Sequence, residues 1–374
     1  MKNKIFVAAF ALLLAVICIL NIALPKKEFS DNENRYLAVF PEASFDSVKS
    51  GEFMSKLSEY LADHFVLRDG WVTLKSLAES ALLKTENNGV FRGKDGYLID
   101  SFDEKSAAGF DDNLASVAEF TQTAAQNYGI DVKTVIAPTA TQILSDKLPA
   151  FAVTADGNAL LDKAAAVPGV VDVRAALAEH RDEYIYYRTD HHWTALGAYY
   201  AYAAYRAAFG ASAAPYEAFQ VEIAAEPFFG TTYSRFGRFF GVRGDVVSAP
   251  AYDAAKHAAL TNSKGETHDS IYFPESVSGK DKYLYFLGGN DSRMTVKTPT
   301  KNGKTLLLIK DSYANSFLPY LCGDYETIIL LDLRYYLSTV SSLIESENVT
   351  DILILYNLKS FSEDKNIRFI NSTS

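Results

Sequence analysis

Three short apolar runs near the carboxyl end decide the fold: Thr305-Leu-Leu-Leu-Ile309, Thr327-Ile-Ile-Leu-Leu331 and Ile352-Leu-Ile-Leu-Tyr356. Each is five residues of Leu, Ile, Thr and Tyr, the length and composition of a strand with both faces buried. Asn315 to Leu321 and Leu337 to Ser346 separate them and read as helices. Strands that alternate with helices predict a parallel central sheet covered on both faces, the α/β class, with functional groups gathered at the carboxyl ends of the strands. Upstream, the same alternation runs through a helix over Phe110 to Tyr128, a strand over Asp131 to Ala137 stopped by Pro138, short strands at Val170 to Arg174 and Tyr184 to Tyr187, and a helix from about Ala195 to Phe209. Val90 to Ile99 reads as two short strands around Gly93 and a Lys-Asp-Gly turn. Residues 215–300 have weak periodicity and are expected to form a loop-rich insertion with a few strands.

The amino-terminal region is different in kind. Residues 5–24 are apolar apart from Asn21, and at about 1.5 Å per residue they are long enough to cross a bilayer. Lys2 and Lys4 precede the run and no small-residue cleavage site follows before Pro25, so the run is expected to be an uncleaved signal anchor with its amino terminus in the cytoplasm. The organisation expected is a cytoplasmic stub and anchor over 1–24, a connector and membrane-proximal helices over 25–89, and the α/β domain over 90–374. Within the second stretch, Phe53, Leu57, Tyr60, Leu61 and Phe65, then Trp71, Leu74, Leu77 and Leu82, fall at helical spacing.

Composition narrows the function. The chain has 374 residues and two cysteines, Cys18 and Cys322, which excludes a disulfide framework or a thiolate zinc site. Beyond Lys2, Lys4, Lys26 and Lys27 there remain 32 basic and 46 acidic residues, a net of −14, which repels nucleic acid and anionic lipid. A neutral extracytoplasmic partner fits better. The 23 Tyr and 24 Phe suit stacking on sugar faces and equally suit filling a core.

Two constellations carry chemistry. In Tyr186-Tyr-Arg-Thr-Asp-His-His-Trp-Thr194, Thr194 is placed to cap the following helix, which leaves Asp190 to Trp193 in a loop. In an extended loop Asp190 and His192 share a side and His191 takes the other. A carboxylate so placed fixes the imidazole tautomer and stabilises the imidazolium, as a general base requires. The same residues also admit a metal or a purely structural reading, although adjacent side chains diverge and no third ligand is spaced for zinc. In Leu307-Leu-Ile-Lys-Asp-Ser-Tyr-Ala-Asn-Ser316, Ser312 sits between a strand end and a helix start. It is either a cap or a nucleophile whose oxyanion the helix terminus would favour. The next strand ends contribute Arg334 and Tyr335, then Asn357, expected on the same rim with Tyr313 as oxyanion or substrate contacts.

These residues resemble the DHHW family, named for the tetrapeptide that stands here at Asp190-His-His-Trp193. More broadly the chain is similar to the alginate O-acetyltransferase accessory proteins. The resemblance extends over Asn32-Glu-Asn-Arg-Tyr-Leu37, Phe91-Arg-Gly-Lys-Asp-Gly-Tyr-Leu98, Ile136-Ala-Pro-Thr139, Phe229-Gly-Thr-Thr-Tyr233 and Lys310-Asp-Ser-Tyr313. It implies a three-layer SGNH-hydrolase-like domain, with Ser312 as nucleophile, His192 as base and Asp190 as its orienter. It also implies acetyl chemistry on an exported polysaccharide and a multipass membrane acyltransferase as acetyl donor; no cofactor or metal is expected. One departure is Lys310, which stands where the esterase Gly-Asp-Ser block has glycine.

Overall fold

The computed structural model describes residues 2–30, 35–237 and 241–372. The motif residues Asn32, Glu33 and Asn34 lie outside them. The chain divides into two compact units, Met1–Asn88 with Tyr233–Val242 and Gly89–Thr232 with Arg243–Ser374.

In the first unit, helix Lys2–Ala23 contains a stretch over Lys4–Ala23 of mean hydropathy 3.0, long and apolar enough to cross a membrane. Helices Phe45–Lys49, Glu52–Asp63 and Arg68–Ala81 follow. The Asn21 side chain accepts a hydrogen bond from Val66 N–H at 2.9 Å, a use for the one polar residue in the apolar run.

The second unit is built on a seven-stranded sheet: β1 (Val132–Ala137), β2 (Ala259–Thr261), β3 (Thr267–His268), β4 (Arg293–Lys297), β5 (Thr305–Lys310), β6 (Thr327–Leu331) and β7 (Asp351–Asn357). Their order is β3-β2-β4-β6-β5-β7-β1. The strands β6, β5, β7 and β1 are parallel, while β4, β2 and β3 join antiparallel. The sheet is therefore mixed, which corrects the expectation of a parallel one. The antiparallel edge comes from the stretch read as loop-rich. Its strands are two to five residues long, and Arg293-Met-Thr-Val-Lys297 alternates polar and apolar, so it is half-buried rather than a continuous apolar run. Two further short strands expected from the sequence are absent: Val170 makes one isolated bridge to Thr134 before helix Arg174–Glu179, and Tyr186 makes one to Trp193.

Because strand side chains alternate, each central strand feeds two cores. Leu306, Leu308, Leu353 and Leu355 enter one, which includes residues of helices α2 (Ala195–Ala207) and α3 (Ala314–Leu321). Leu307, Ile309, Ile352 and Ile354 enter the other, with residues of α1 (Phe110–Tyr128), α4 (Val340–Ser346) and α5 (Leu358–Glu363). Burying a Leu or Ile completely is worth about 1.5–3 kcal/mol, so these rows pin the strand register. Register aligns the carboxyl ends of the parallel strands, with Ile309 beside Leu331 and Lys310 beside Leu355.

Helix α2 starts where expected. Thr194 accepts from Gly197 N–H at 3.3 Å, and a Cβ at Gly197 would lie 2.2 Å from the Ile185 carbonyl oxygen. This backbone contact sets how closely α2 follows the Asp190–Trp193 loop. Gly197→Ala is expected to destabilise the chain by about 1–3 kcal/mol through overpacking, measured as a lower melting temperature; an unchanged one would show that the contact relaxes freely.

Candidate active site

The Asp190–Trp193 loop is held from below by a buried carboxylate that the sequence reading missed. Asp245 accepts from Arg188 N–H at 2.9 Å, Thr189 N–H at 2.7 Å, the Thr189 hydroxyl at 2.6 Å and the Tyr184 hydroxyl at 2.5 Å. Burial pushes its carboxyl up, and those hydrogen bonds oppose the rise. Leaving such a group unpaired would cost several kcal/mol, so all four donors are drawn to one point and the loop backbone with them. Asp245 lies in the stretch of weak periodicity, where a single aspartate gives no sequence signal.

Within the loop, the side chains of Asp190 and His192 meet. His192 Nδ1 is 2.5 Å from Asp190 Oδ1, and the His192 backbone N–H donates to the same oxygen at 3.0 Å. The other oxygen accepts from Thr231 N–H at 2.8 Å and the Thr231 hydroxyl at 3.1 Å. Burial alone would raise the Asp190 carboxyl, but His191, His192 and the Thr231 N–H outweigh it and hold it well below the usual carboxylate range. It is an anion with both oxygens hydrogen-bonded. Gly230 makes room for this packing, since a Cβ there would lie 2.2 Å from Asp190 Oδ2.

The far nitrogen of the same ring reaches across 120 residues of sequence: His192 Nε2 is 2.7 Å from Ser312 Oγ. With Nδ1 donating to Asp190, Nε2 is left as the acceptor of the serine hydroxyl. Ser312 is partly exposed while His192 and Asp190 are buried. Among the described residues the Ser312 backbone N–H has no protein acceptor, so it is a donor open to the carbonyl oxygen of an acyl group brought to Oγ.

The motif tryptophan joins the His192 loop to the Ser312 turn. Trp193 Nε1 donates to the Tyr313 carbonyl and the Ser316 hydroxyl, each at 3.0 Å, and Tyr313 returns its hydroxyl to the His191 carbonyl at 2.5 Å. Tyr313 is fully buried by this exchange, which corrects the expectation that it contacts substrate. Asn357 is corrected likewise. Its Nδ2 donates to Asp311 at 2.5 Å and to the Ser360 hydroxyl at 2.8 Å, and its Oδ1 caps helix α5 through Ser360 N–H at 3.0 Å. That amide is engaged, so it is not a ready oxyanion donor. Arg334 forms a two-pronged pair with Asp332, at 2.9 and 2.6 Å, and lies 5.5 Å from the centre of the half-exposed Tyr335 ring. Both follow the carboxyl end of β6.

Lys310 is not a passive replacement for glycine. It is buried, and its ammonium donates to Asn290 Oδ1 at 2.8 Å and Asn315 Oδ1 at 2.7 Å. Burial lowers it to about 8, against the pull of Asp332 and Asp311 towards the charged form. Asp190, His191 and His192 present ligand atoms within 4.8 Å of one another. Both nitrogens of His192 already have protein partners, so an ion bound through that ring would have to displace Asp190 or Ser312.

The description "DHHW protein" is that of a family model matching residues 90–331, and the chain belongs to the DHHW family. A crystal structure of a DHHW family protein from Eubacterium siraeum is 26% identical, with a TM-score of 0.65 over 77% of this chain and 96% of that one. Bacillus cereus PatB1 is similar in fold at 19% identity, with a TM-score of 0.60 over 75% of this chain and 99% of that one; PatB1 carrying a sulfonyl adduct gives 0.59. No curated protein matches the chain in sequence.

A lysine lowered to about 8 on folding, against about 10.4 when unfolded, has a definite linkage sign. Between those values the unfolded chain binds the proton that the folded chain has released, so this group makes stability rise with pH, by on the order of 2–3 kcal/mol across the window. Below pH 8 its destabilising effect is constant. Thermal melts at pH 7.5, 9 and 10 are expected to show wild type gaining on Lys310→Met as pH rises; a pH-independent difference would contradict this.

Proposed function

We propose that this chain is an extracytoplasmic serine O-acetyltransferase that modifies a cell-surface or exported polysaccharide. The observation that carries the reading is the relay Asp190–His192–Ser312, at 2.5 and 2.7 Å. In the first half-reaction Ser312 Oγ attacks the acetyl carbonyl of the donor while its proton passes to His192 Nε2. The new C–O bond places negative charge on the carbonyl oxygen, beside the Ser312 N–H. Collapse expels the donor's leaving oxygen, which takes the proton from His192, and leaves acetyl-Ser312. In the second half a sugar hydroxyl gives its proton to His192, attacks the acetyl group and releases Ser312, reprotonated by His192. Asp190 stabilises the imidazolium in both halves and keeps its own charge.

Membership of the DHHW family and the likeness in fold to PatB1 support an SGNH-like reading of the domain. The apolar helix Lys2–Ala23 supports a single-pass anchor with the bulk of the chain outside the cytoplasm. An anchored enzyme of this kind would receive acetyl groups from a multipass membrane acyltransferase. Arg334 and Tyr335, at the strand-end rim, are assigned to acceptor binding, a basic group and a ring that suit a sugar.

The test is turnover of p-nitrophenyl acetate by the full chain, compared with Ser312→Ala and His192→Ala. Each variant is expected to lose at least about a hundredfold, in keeping with the loss of general-base catalysis, while keeping its melting temperature. Added glycans are expected to gain acetyl groups by mass spectrometry. Turnover equal to that of the variants would favour a silent polysaccharide-binding protein, and turnover without glycan product would favour an O-acetylesterase.

A further inference from the structure

Tyr283 lies in the stretch of weak periodicity, on a short 3-10 turn at Lys282–Tyr285, and no role has been given to it so far. Its ring is nearly parallel to the His192 imidazole, with centroids 3.8 Å apart and planes at 12°. Its hydroxyl donates to the Ser312 carbonyl at 3.0 Å and lies 3.1 Å from the Ser316 hydroxyl, which can donate to it. The side chain is 5% exposed and is wedged by Tyr187 and Phe286, with ring centroids at 6.3 and 5.3 Å. One residue therefore touches both the ring that takes the proton and the backbone of the residue that gives it.

We infer that Tyr283 is a positioning residue for the base, its π face stabilising the imidazolium that forms on His192 and its hydroxyl fixing the turn that carries Ser312. This role rests on His192 acting as the base, as proposed above. Asp190 meets His192 at the ring edge, through Nδ1, and Ser312 meets it at the opposite nitrogen. Neither contact stops the ring from rocking about the line joining them; a parallel aromatic surface does. The face of a tyrosine is also negative, so the contact strengthens when the imidazole gains a proton. The other titratable groups facing His192 are Asp190 and His191 on its own loop, the His191 ring at 3.9 Å, and Tyr313, with its ring centroid at 5.3 Å. Asp311 acts on Tyr283 itself. His191, when protonated, would oppose a charge on His192, whereas Tyr283 favours it.

The experiment uses the full chain in detergent with p-nitrophenyl acetate, and reads kcat/KM against pH. Tyr283→Phe keeps the ring and is expected to leave the acid limb of the profile in place while lowering the plateau about threefold. Tyr283→Leu removes the ring and is expected to move the acid limb about half a pH unit lower and reduce the plateau about fivefold, with KM little changed. Phenylalanines with increasing ring fluorination at position 283 keep the shape while draining the π face, and are expected to move the limb stepwise in the same direction. That series decides the matter even where Tyr283→Leu folds poorly. An acid limb that stays fixed across the fluorinated series overturns the inference alone. A wild-type chain without turnover overturns the reading of His192 as base, and this inference with it.

Discussion

The exchange of hydrogen bonds between Trp193 and Tyr313 is the constraint on which the site depends. The indole of one segment donates to the backbone of the other, and the phenol of the second donates back to the backbone of the first. Each bond is worth about 0.5–1.5 kcal/mol net, and breaking one would leave a buried polar group unpaired. Two segments 120 residues apart are thereby held so that His192 Nε2 and Ser312 Oγ fall within 2.7 Å. The bulky rings between them supply area as well as direction, with Trp193 and Tyr313 centroids at 4.9 Å and Phe317 behind.

Around this lock the protein buries an unusual number of ionisable groups: Asp190, Asp245, Lys310, Asp311 and Asp332 are all at least 95% buried. Each meets several partners, because an unpaired charge there would be prohibitive. The aspartates accept from backbone N–H groups at strand ends and loop starts as well as from side chains, whereas Lys310 donates to the side-chain amides of Asn290 and Asn315. Asp311 shows the economy of this, accepting from Tyr313 N–H on one oxygen and from Asn357 N–H and its side chain on the other. The carboxyl edge of the sheet is thus a polar frame that fixes the Ser312 turn from two strands.

Much of this was legible in the sequence. The apolar runs at β5, β6 and β7 announced strands because their length, composition and alternation with helical segments suit strands with both faces covered, and Thr194 announced the start of α2 through capping chemistry. Asp190, His192 and Ser312 were legible as a set because their residue types and strand-end positions complement one another. Tyr313 and Asn357 were misread for one reason: both stand at the same strand ends as Ser312, and only coordinates show that a phenol and an amide so placed are already engaged. Thr231 was visible only as part of the motif Phe229-Gly-Thr-Thr-Tyr233, without a role, and Asp245 and Tyr283 were invisible because they act at long range from a stretch whose short, half-polar strands carry no periodic signal.

The central claim is that Ser312 is activated by the imidazole of His192 under the hold of Asp190. It is tested most directly by treating the full chain with phenylmethylsulfonyl fluoride and determining intact mass and the modified peptide. The account predicts one sulfonyl group, on Ser312, that is absent from His192→Ala treated in the same way. Labelling of Ser312 that persists at the same rate in His192→Ala, or a wild-type chain that takes up no label while a serine hydrolase control in the same buffer does, would contradict it.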